Sequence, residues 1–278
     1  MAGGANIGEL DAAVRDAARC GAPDRYLAAL LAPRDVRADL IALAAFSAEL
    51  EKIPLTVSEP HLGEIRIQWW SDALSPGAGG AKTGNPIADA FKFVIERHKL
   101  SPEMLNDYFD ASVHGLYDHA PEDRQQLRLR MLMTEGVLIS FAARICGAKD
   151  VSPDTEIIAH ASEAYGLTRL ALNLPYAQSQ GRTTLPAVFA LADGDDTANW
   201  KDQVAALAQD ARSHLAKVRH DFYQQPKPLR TALLPVAVVE PYLAALTHSG
   251  HDAARDIAEI APLVRTWRIA RAHWRGIV

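Results

Sequence analysis

The stretch Leu43-Ala-Ala-Phe-Ser-Ala-Glu-Leu-Glu-Lys-Ile53 shows the pattern that decides the fold of this chain. Its apolar residues recur at spacings of three and four, which is the period of an α-helix with a buried face. The stretch Gly166-Leu-Thr-Arg-Leu-Ala-Leu-Asn-Leu-Pro175 has the same spacing. Alanine and leucine dominate the whole chain, and the alternation typical of strands is scarce. We therefore expect an all-α fold.

Prolines, glycines and capping residues predict where the helices begin and end. Ser101 followed by a proline is typical of a helix start, and Pro54 is expected to end the third helix because it lacks a backbone donor. The predicted helices cover about 7–20, 23–31, 34–53, 60–74, 86–99, 101–118, 121–147, 153–174, 197–222, 227–247 and 251–275. Because the sequence has no internal repeat and no long linker, we expect one domain over residues 1–278.

Composition excludes several functional classes. Of the 278 residues, 49% are apolar, which is enough for a sizeable core, and the net charge of −5 argues against a nucleic-acid partner. Cys20 and Cys146 lack metal-ligand spacing and fit a reducing compartment. Residues 1–20 do not form a secretory signal, and no apolar run reaches the roughly 20 residues of a spanning helix. We expect a cytoplasmic protein, with peripheral association with the inner membrane left open.

The two opening stretches have counterparts in a known family. Together with Tyr26-Leu-Ala-Ala-Leu-Leu-Ala-Pro33 and Leu185-Pro186, they resemble the landmark segments of the squalene/phytoene synthase family. The resemblance implies a single helical bundle of isoprenoid-synthase type around a central cavity. The enzymes of that family join two prenyl diphosphates head to head, on Mg²⁺ held by aspartate-rich segments of two facing helices. Acidic residues four apart share a helix face and can therefore share a metal ion.

At the aligned positions this chain differs from those enzymes. Glu51, Lys52 and Leu55 stand at the acidic positions of the first segment, and Ala177 stands at one of the second. Asp24-Arg25 stands where the family has a Ser-Phe pair that binds diphosphate. We therefore expect no catalytic residue, no metal and no cofactor. The alternative is an active prenyltransferase with an atypical site, which would need Mg²⁺.

Zinc is not expected either, because the ten histidines show no i,i+4 pair with a glutamate partner.

Three further segments resemble a side branch of the family that includes the mitochondrial assembly factor of respiratory complex I. They are Ala45-Phe46-Ser-Ala-Glu-Leu50, Val57-Ser-Glu59 and Arg66-Ile-Gln-Trp-Trp70. The resemblance implies a non-catalytic protein that works by binding a partner protein, an isoprenoid or other lipid, or both. A carrier that holds a lipid chain in the old substrate cavity without reacting it is a third hypothesis.

The aligned segments also give candidate residues for the cavity. We expect its lining to include Phe46, Glu49, Glu51, Tyr165, Arg169, Asn173 and Arg182. Most of these should face one another across the helices at 34–53 and 153–174. An alternative interpretation makes Glu49 and Glu51 part of a solvated helix face, Asn173 a helix C-cap and Arg182 a loop arginine.

The last predicted helix has a basic pattern with interleaved tryptophans. Its residues of interest are Arg265, Trp267, Arg268, Arg271, Trp274 and Arg275, at spacings that place the arginines near one face. Such a face suits an anionic membrane surface or an acidic protein partner. The alternative is an ordinary terminal helix with tryptophans inward and arginines in water.

Overall fold

Helices account for the architecture of this protein. The structure is a computed structural model that describes residues 11–57, 59–75, 82–117, 121, 123–179, 200–252 and 255–278. Within these residues the chain forms α-helices and short π and 3₁₀ turns, and no strand, which confirms the expected all-α fold. The helices are α1 Ala12–Gly21, α2 Pro23–Leu31, α3 Arg37–Thr56, α4 Pro60–Leu74, α5 Pro86–His98, α6 Pro102–His114, α7 Arg124–Met131, α8 Val137–Ile145, α9 Glu156–Leu172, α10 Leu174–Ser179, α11 Trp200–Asp221, α12 Lys227–Ala232, α13 Val239–Leu246 and α14 Pro262–Arg275.

Local sequence explains most of the helix ends. The Ser101 hydroxyl accepts a bond from the Met104 amide and Pro102 occupies the first turn of α6, as predicted. Pro54, however, does not end α3, which continues to Thr56. The donor that proline lacks is lost only in the final turn, where the cost to the helix is small. The helix expected at 251–275 is also shorter, because α14 begins only at Pro262.

A π-helical segment, Leu132–Gly136, joins α7 to α8 and interrupts what the sequence predicts as one long helix. A π turn contains an extra residue, so it shifts the faces of the helix on its two sides. The end of α7 and this segment pack closely against α9 because Gly166 has no side chain: a Cβ there would overlap Met131 Sδ and lie 3.3 Å from Glu135 Cγ. Glu135 is buried here and lies beside Arg169 of α9.

Two apolar clusters form the interior, and α3 and α9 belong to different ones. One cluster centres on α9 and α11–α14, and the other on α1, α3–α6 and α8. Phe46 of α3 lies within the second, stacked on Phe91 at 4.2 Å between ring centroids and edge-on to Trp70 at 5.6 Å. Polar groups that lie between the clusters are therefore shielded on both sides. Each helix in the described segments is too short or too polar to span a lipid bilayer.

Candidate functional site: a buried ionic quartet

Four charged side chains from four elements meet between the two apolar clusters. Arg25 of α2 lies 2.8 Å from Glu51 of α3 (Nη1 to Oε1), and its Nη2 contacts Glu135 of the π segment. Arg169 of α9 contacts the other oxygen of Glu51 through Nη2, and its Nε lies 3.6 Å from Glu135 Oε1. Each arginine thus bridges both glutamates. We call this closed ring, which has no net charge, the ionic quartet.

Aromatic and polar neighbours extend the quartet toward the C-terminal helix. The Tyr165 ring lies near both guanidinium groups, 5.4 Å from Arg25 Cζ and 5.8 Å from that of Arg169. Its hydroxyl donates to Asp24 Oδ2 at 3.0 Å, and Asp24 Oδ1 lies 2.9 Å from Arg265 Nε. A third acid and a third arginine are therefore paired next to the quartet, and the extended network is also neutral.

Burial and charge pairing shift the pKa values of these groups in opposite directions. Burial raises the pKa of Glu135, and the adjacent Arg25 counters part of that rise. Burial likewise raises the pKa of Asp24, which Arg265 counters in part. Burial by itself would lower the pKa of Arg25 and Arg169, but the nearby glutamates more than offset it and hold both pKa values above the ordinary range. The arginines therefore stay charged, and the glutamates between them are their counterions.

Two small spaces in the bundle border the quartet. One, which we call the inner cavity, is mainly apolar, measures about 40 Å³ and is lined by Ala28, Leu43, Ala142 and Val236 among others. The other, which we call the outer pocket, measures about 160 Å³, and Asn173 and Tyr108 help to line it. Glu135 lines both. Pockets that take organic ligands usually begin at about 300 Å³, so neither space as it stands has room for a prenyl chain.

The structure brings together only part of the predicted lining. Glu51, Tyr165 and Arg169 meet in the network, and Asn173 lies at the outer pocket while also forming the C-cap of α9. Arg182 lies outside the described residues.

Phe46 and Glu49 do not face the site, which corrects the expectation for both. Phe46 is buried in the aromatic cluster on another side of α3. Glu49 lines a separate surface cleft with Lys52 and Arg66. Successive helical residues are about 100° apart, so residue 49 points nearly opposite to residue 51.

Two members of the network carry no signal in the aligned segments. Glu135 is a lone acid in the apolar run Met131–Ser140, and that isolation is the one local hint that it is buried and paired. Arg265 was expected on an outer surface, but its side chain is only 18% exposed. It contacts Asp24 and donates to the Tyr242 hydroxyl at 2.7 Å, so it belongs to the interior.

The rest of α14 presents an exposed apolar stripe. Leu263, Trp267 and Trp274 are 83%, 58% and 70% exposed, and their spacing of four and seven places them on one side of the helix. Ile269 and Ala272 are buried on the opposite side. Arg275 is exposed, whereas Arg268 and Arg271 are half-buried beside the stripe. The tryptophans thus point outward rather than into the core.

Comparison with known proteins places this geometry in a family. The sequence model of the squalene/phytoene synthase family matches residues 18–275. The chain belongs to the squalene/phytoene synthase family. Two solved members share its fold: a squalene synthase from Alicyclobacillus acidocaldarius, with a TM-score of 0.64 and 17% identity over 84% of this chain and 91% of that one, and a dehydrosqualene synthase in complex with a ligand, with a TM-score of 0.69 and 15% identity over 93% of each.

Relatives found by sequence are named as assembly factors and not as synthases. The Bos taurus protein called NADH dehydrogenase (ubiquinone) complex I, assembly factor 6 is 26% identical over 259 residues, which cover 87% of this chain and 78% of the relative. The protein of the same name from Homo sapiens is 25% identical over 236 residues, covering 82% and 71%. This chain is therefore similar in fold to proteins named as synthases and similar in sequence to proteins named as assembly factors.

The ionic quartet predicts a measurable coupling between its members. Arg25→Met and Glu135→Leu should each lower the free energy of unfolding, by up to roughly 3–5 kcal/mol, because each leaves the partly buried ring with one unbalanced charge. The double variant should lose less than either single variant, since the remaining pair of Glu51 and Arg169 is neutral. Urea unfolding of the four proteins gives the coupling energy.

The matched control is the exposed pair Arg19 and Asp16, whose side chains are both 62% exposed. Arg19→Met and Asp16→Leu should show little coupling, because solvent screens an exposed pair. Additive losses at Arg25 and Glu135, with no coupling above that of the control pair, would contradict the described arrangement.

Proposed function

We propose that this protein is a non-catalytic member of its family and acts by binding a protein partner during the assembly of respiratory complex I. The names of its curated relatives support the process, and the ionic quartet supports the absence of catalysis. The partner is a subunit or assembly intermediate of the complex.

The proposal depends on one observation, which is that the carboxylates of the quartet are paired with arginines. Prenyl transfer from a diphosphate needs carboxylates that are free to hold Mg²⁺, because the metal must neutralise the departing pyrophosphate. Glu51 and Glu135 are each bridged by two arginines. Asp24, the next acid in the network, is paired with Arg265. Binding Mg²⁺ here would require these buried pairs to separate, which leaves arginines unpaired in a medium of low polarity.

Cavity size supports the same conclusion. A working synthase, and equally a carrier that holds a lipid chain in the old substrate cavity, needs a space for an isoprenoid. The inner cavity of about 40 Å³ and the outer pocket of about 160 Å³ both border the quartet at Glu135. Placed in either of these two spaces, an isoprenoid would need the quartet to open, whether the protein is an active synthase or a carrier.

The stripe on α14 is the surface we assign to membrane association, and we propose that it rests on an anionic lipid surface. Tryptophans and a leucine can enter the headgroup region, and arginines beside them attract lipid phosphates. In the described part of the chain, none of Arg268, Arg271 and Arg275 forms an ion pair with an acid, so their charges remain available. A membrane-bound position would bring the protein to a membrane-bound assembly partner.

Deletion in the host tests the proposed function. Without the protein, the amount of assembled NADH dehydrogenase complex on a native gel should fall, and the tagged full chain should capture named subunits of that complex when reintroduced. Unchanged amounts of the complex would contradict the proposal. Accumulation of prenyl diphosphates in the deletion strain would favour the synthase alternative.

Vesicle flotation tests the surface on α14. The purified chain should float with vesicles containing anionic lipid and not with neutral vesicles, and high salt should weaken the binding. Changing Arg268, Arg271 and Arg275 to Gln should release most of the protein, since each basic residue near an anionic membrane contributes about 1 kcal/mol. Arg265 is kept, because it pairs with Asp24 inside the protein.

The control changes three exposed basic residues elsewhere on the surface, Arg34, Lys82 and Lys201, to Gln. It alters net charge equally and should leave flotation intact. Equal loss in both triple variants, or equal binding to neutral and anionic vesicles, would rule out the lipid surface. Salt-insensitive capture of a complex I subunit through α14 would indicate a protein in its place.

A further inference from the structure

A second polar cluster lies at the interface of α9 and α11, away from the ionic quartet. His160 and Glu163 are three residues apart on α9 and therefore share a face of the helix. His214 of α11 lies opposite them, 54 residues from His160 along the chain. One ligand atom from each of the three side chains lies within 4.8 Å of the other two. We call these residues the His-Glu-His cluster.

The distances within the cluster are short enough for a shared ion. His160 Nδ1 and His214 Nδ1 are 3.0 Å apart, and His214 Nε2 lies 3.1 Å from Glu163 Oε2. Two nitrogen ligands at about 2.0–2.1 Å from a tetrahedral zinc ion are themselves only a little farther apart. The two contacts use different nitrogens of His214, so an ion shared by all three side chains would take only one of them. One ligand atom from each side chain already lies within 4.8 Å of the other two, and rotation of the side chains would bring these atoms to bonding distance of one ion.

The electrostatics of the cluster leave a carboxylate oxygen without a hydrogen bond. Glu163 Oε1 is buried and accepts no bond from the described part of the chain. The nearest cation is Arg128, whose Nε lies 3.7 Å away.

We propose that His160, Glu163 and His214 bind a divalent transition-metal ion of the zinc class. Two imidazoles and one carboxylate are a ligand set that suits zinc, with water as the fourth ligand. Sites between facing helices of a bundle are commonly built from such pairs three residues apart. A bound ion would join α9 to α11 and so stabilise the helix that carries Arg169.

The sequence did not reveal this site because its third ligand comes from a distant helix. The usual helical zinc motif has two histidines four residues apart with a glutamate, whereas the pair on α9 is a histidine and a glutamate three residues apart. Only the packing of α11 on α9 adds the second imidazole.

Metal titration of the purified full chain, stripped with a chelator, tests the proposal. Isothermal calorimetry should show one equivalent of Zn²⁺ bound, and Co²⁺ should give the visible absorption of a tetrahedral site. Zn²⁺ should also raise the melting temperature, because an ion that binds only the folded state stabilises it. His160→Gln and His214→Gln should weaken Zn²⁺ binding by at least about tenfold, since even outer partners of a metal contribute factors of roughly 10–100.

His220→Gln is the matched control, because His220 lies on the same helix and its side chain is 82% exposed. It should bind Zn²⁺ as the unaltered chain does. All variants are first compared without metal, by circular dichroism, so that a folding defect is not read as a lost site. Absence of Zn²⁺ binding, or an equal loss in the control and the two variants, would show that the cluster is a chain of hydrogen bonds only.

Discussion

Charges buried between helices must be paired with opposite charges. The pairing of two arginines with two glutamates is the constraint on which this structure depends. An unpaired ion in a medium of low polarity costs several kcal/mol, whereas a ring with no net charge avoids most of that cost. Arg25, Glu51, Glu135 and Arg169 come from four different elements, so the ring also fixes how those elements are placed. Removing one member therefore affects the whole centre of the bundle.

The same constraint is the basis of our proposal that this chain does not carry out the chemistry that its family resemblance implies. In a bundle of this fold, carboxylates on facing helices can either hold Mg²⁺ for a diphosphate or serve as counterions for arginines, and one group cannot easily do both. Asp24 and Arg25, which the family resemblance aligns with a diphosphate-binding pair, are both paired within the network. The positive charge of Arg25 is thus balanced by acids of the protein itself. The function that we propose therefore uses the outer surface, where the tryptophan stripe on α14 is exposed.

The sequence predicted the fold well because helical spacing, capping residues and prolines are local signals. It predicted the site only in part. Glu51, Tyr165 and Arg169 were found through the aligned segments, but Phe46 and Glu49 were not separated from them, because an alignment does not give the rotation of a helix face. Glu135 depends on a π segment, and Arg265 on the packing of α14 against α2, neither of which leaves a pattern in the chain. The His-Glu-His cluster is a further case, because only long-range packing brings His214 to the pair on α9.

Turnover of prenyl diphosphates is the measurement that tests the central claim most directly. The purified chain is incubated with labelled farnesyl or geranylgeranyl diphosphate and Mg²⁺ or Mn²⁺, and apolar products are extracted and compared with a protein-free control. Because the carboxylates of the quartet are bound by arginines, the account predicts no product above that control. Formation of squalene, phytoene or a cyclopropyl intermediate would contradict it, and would show that the quartet opens to admit metal and substrate.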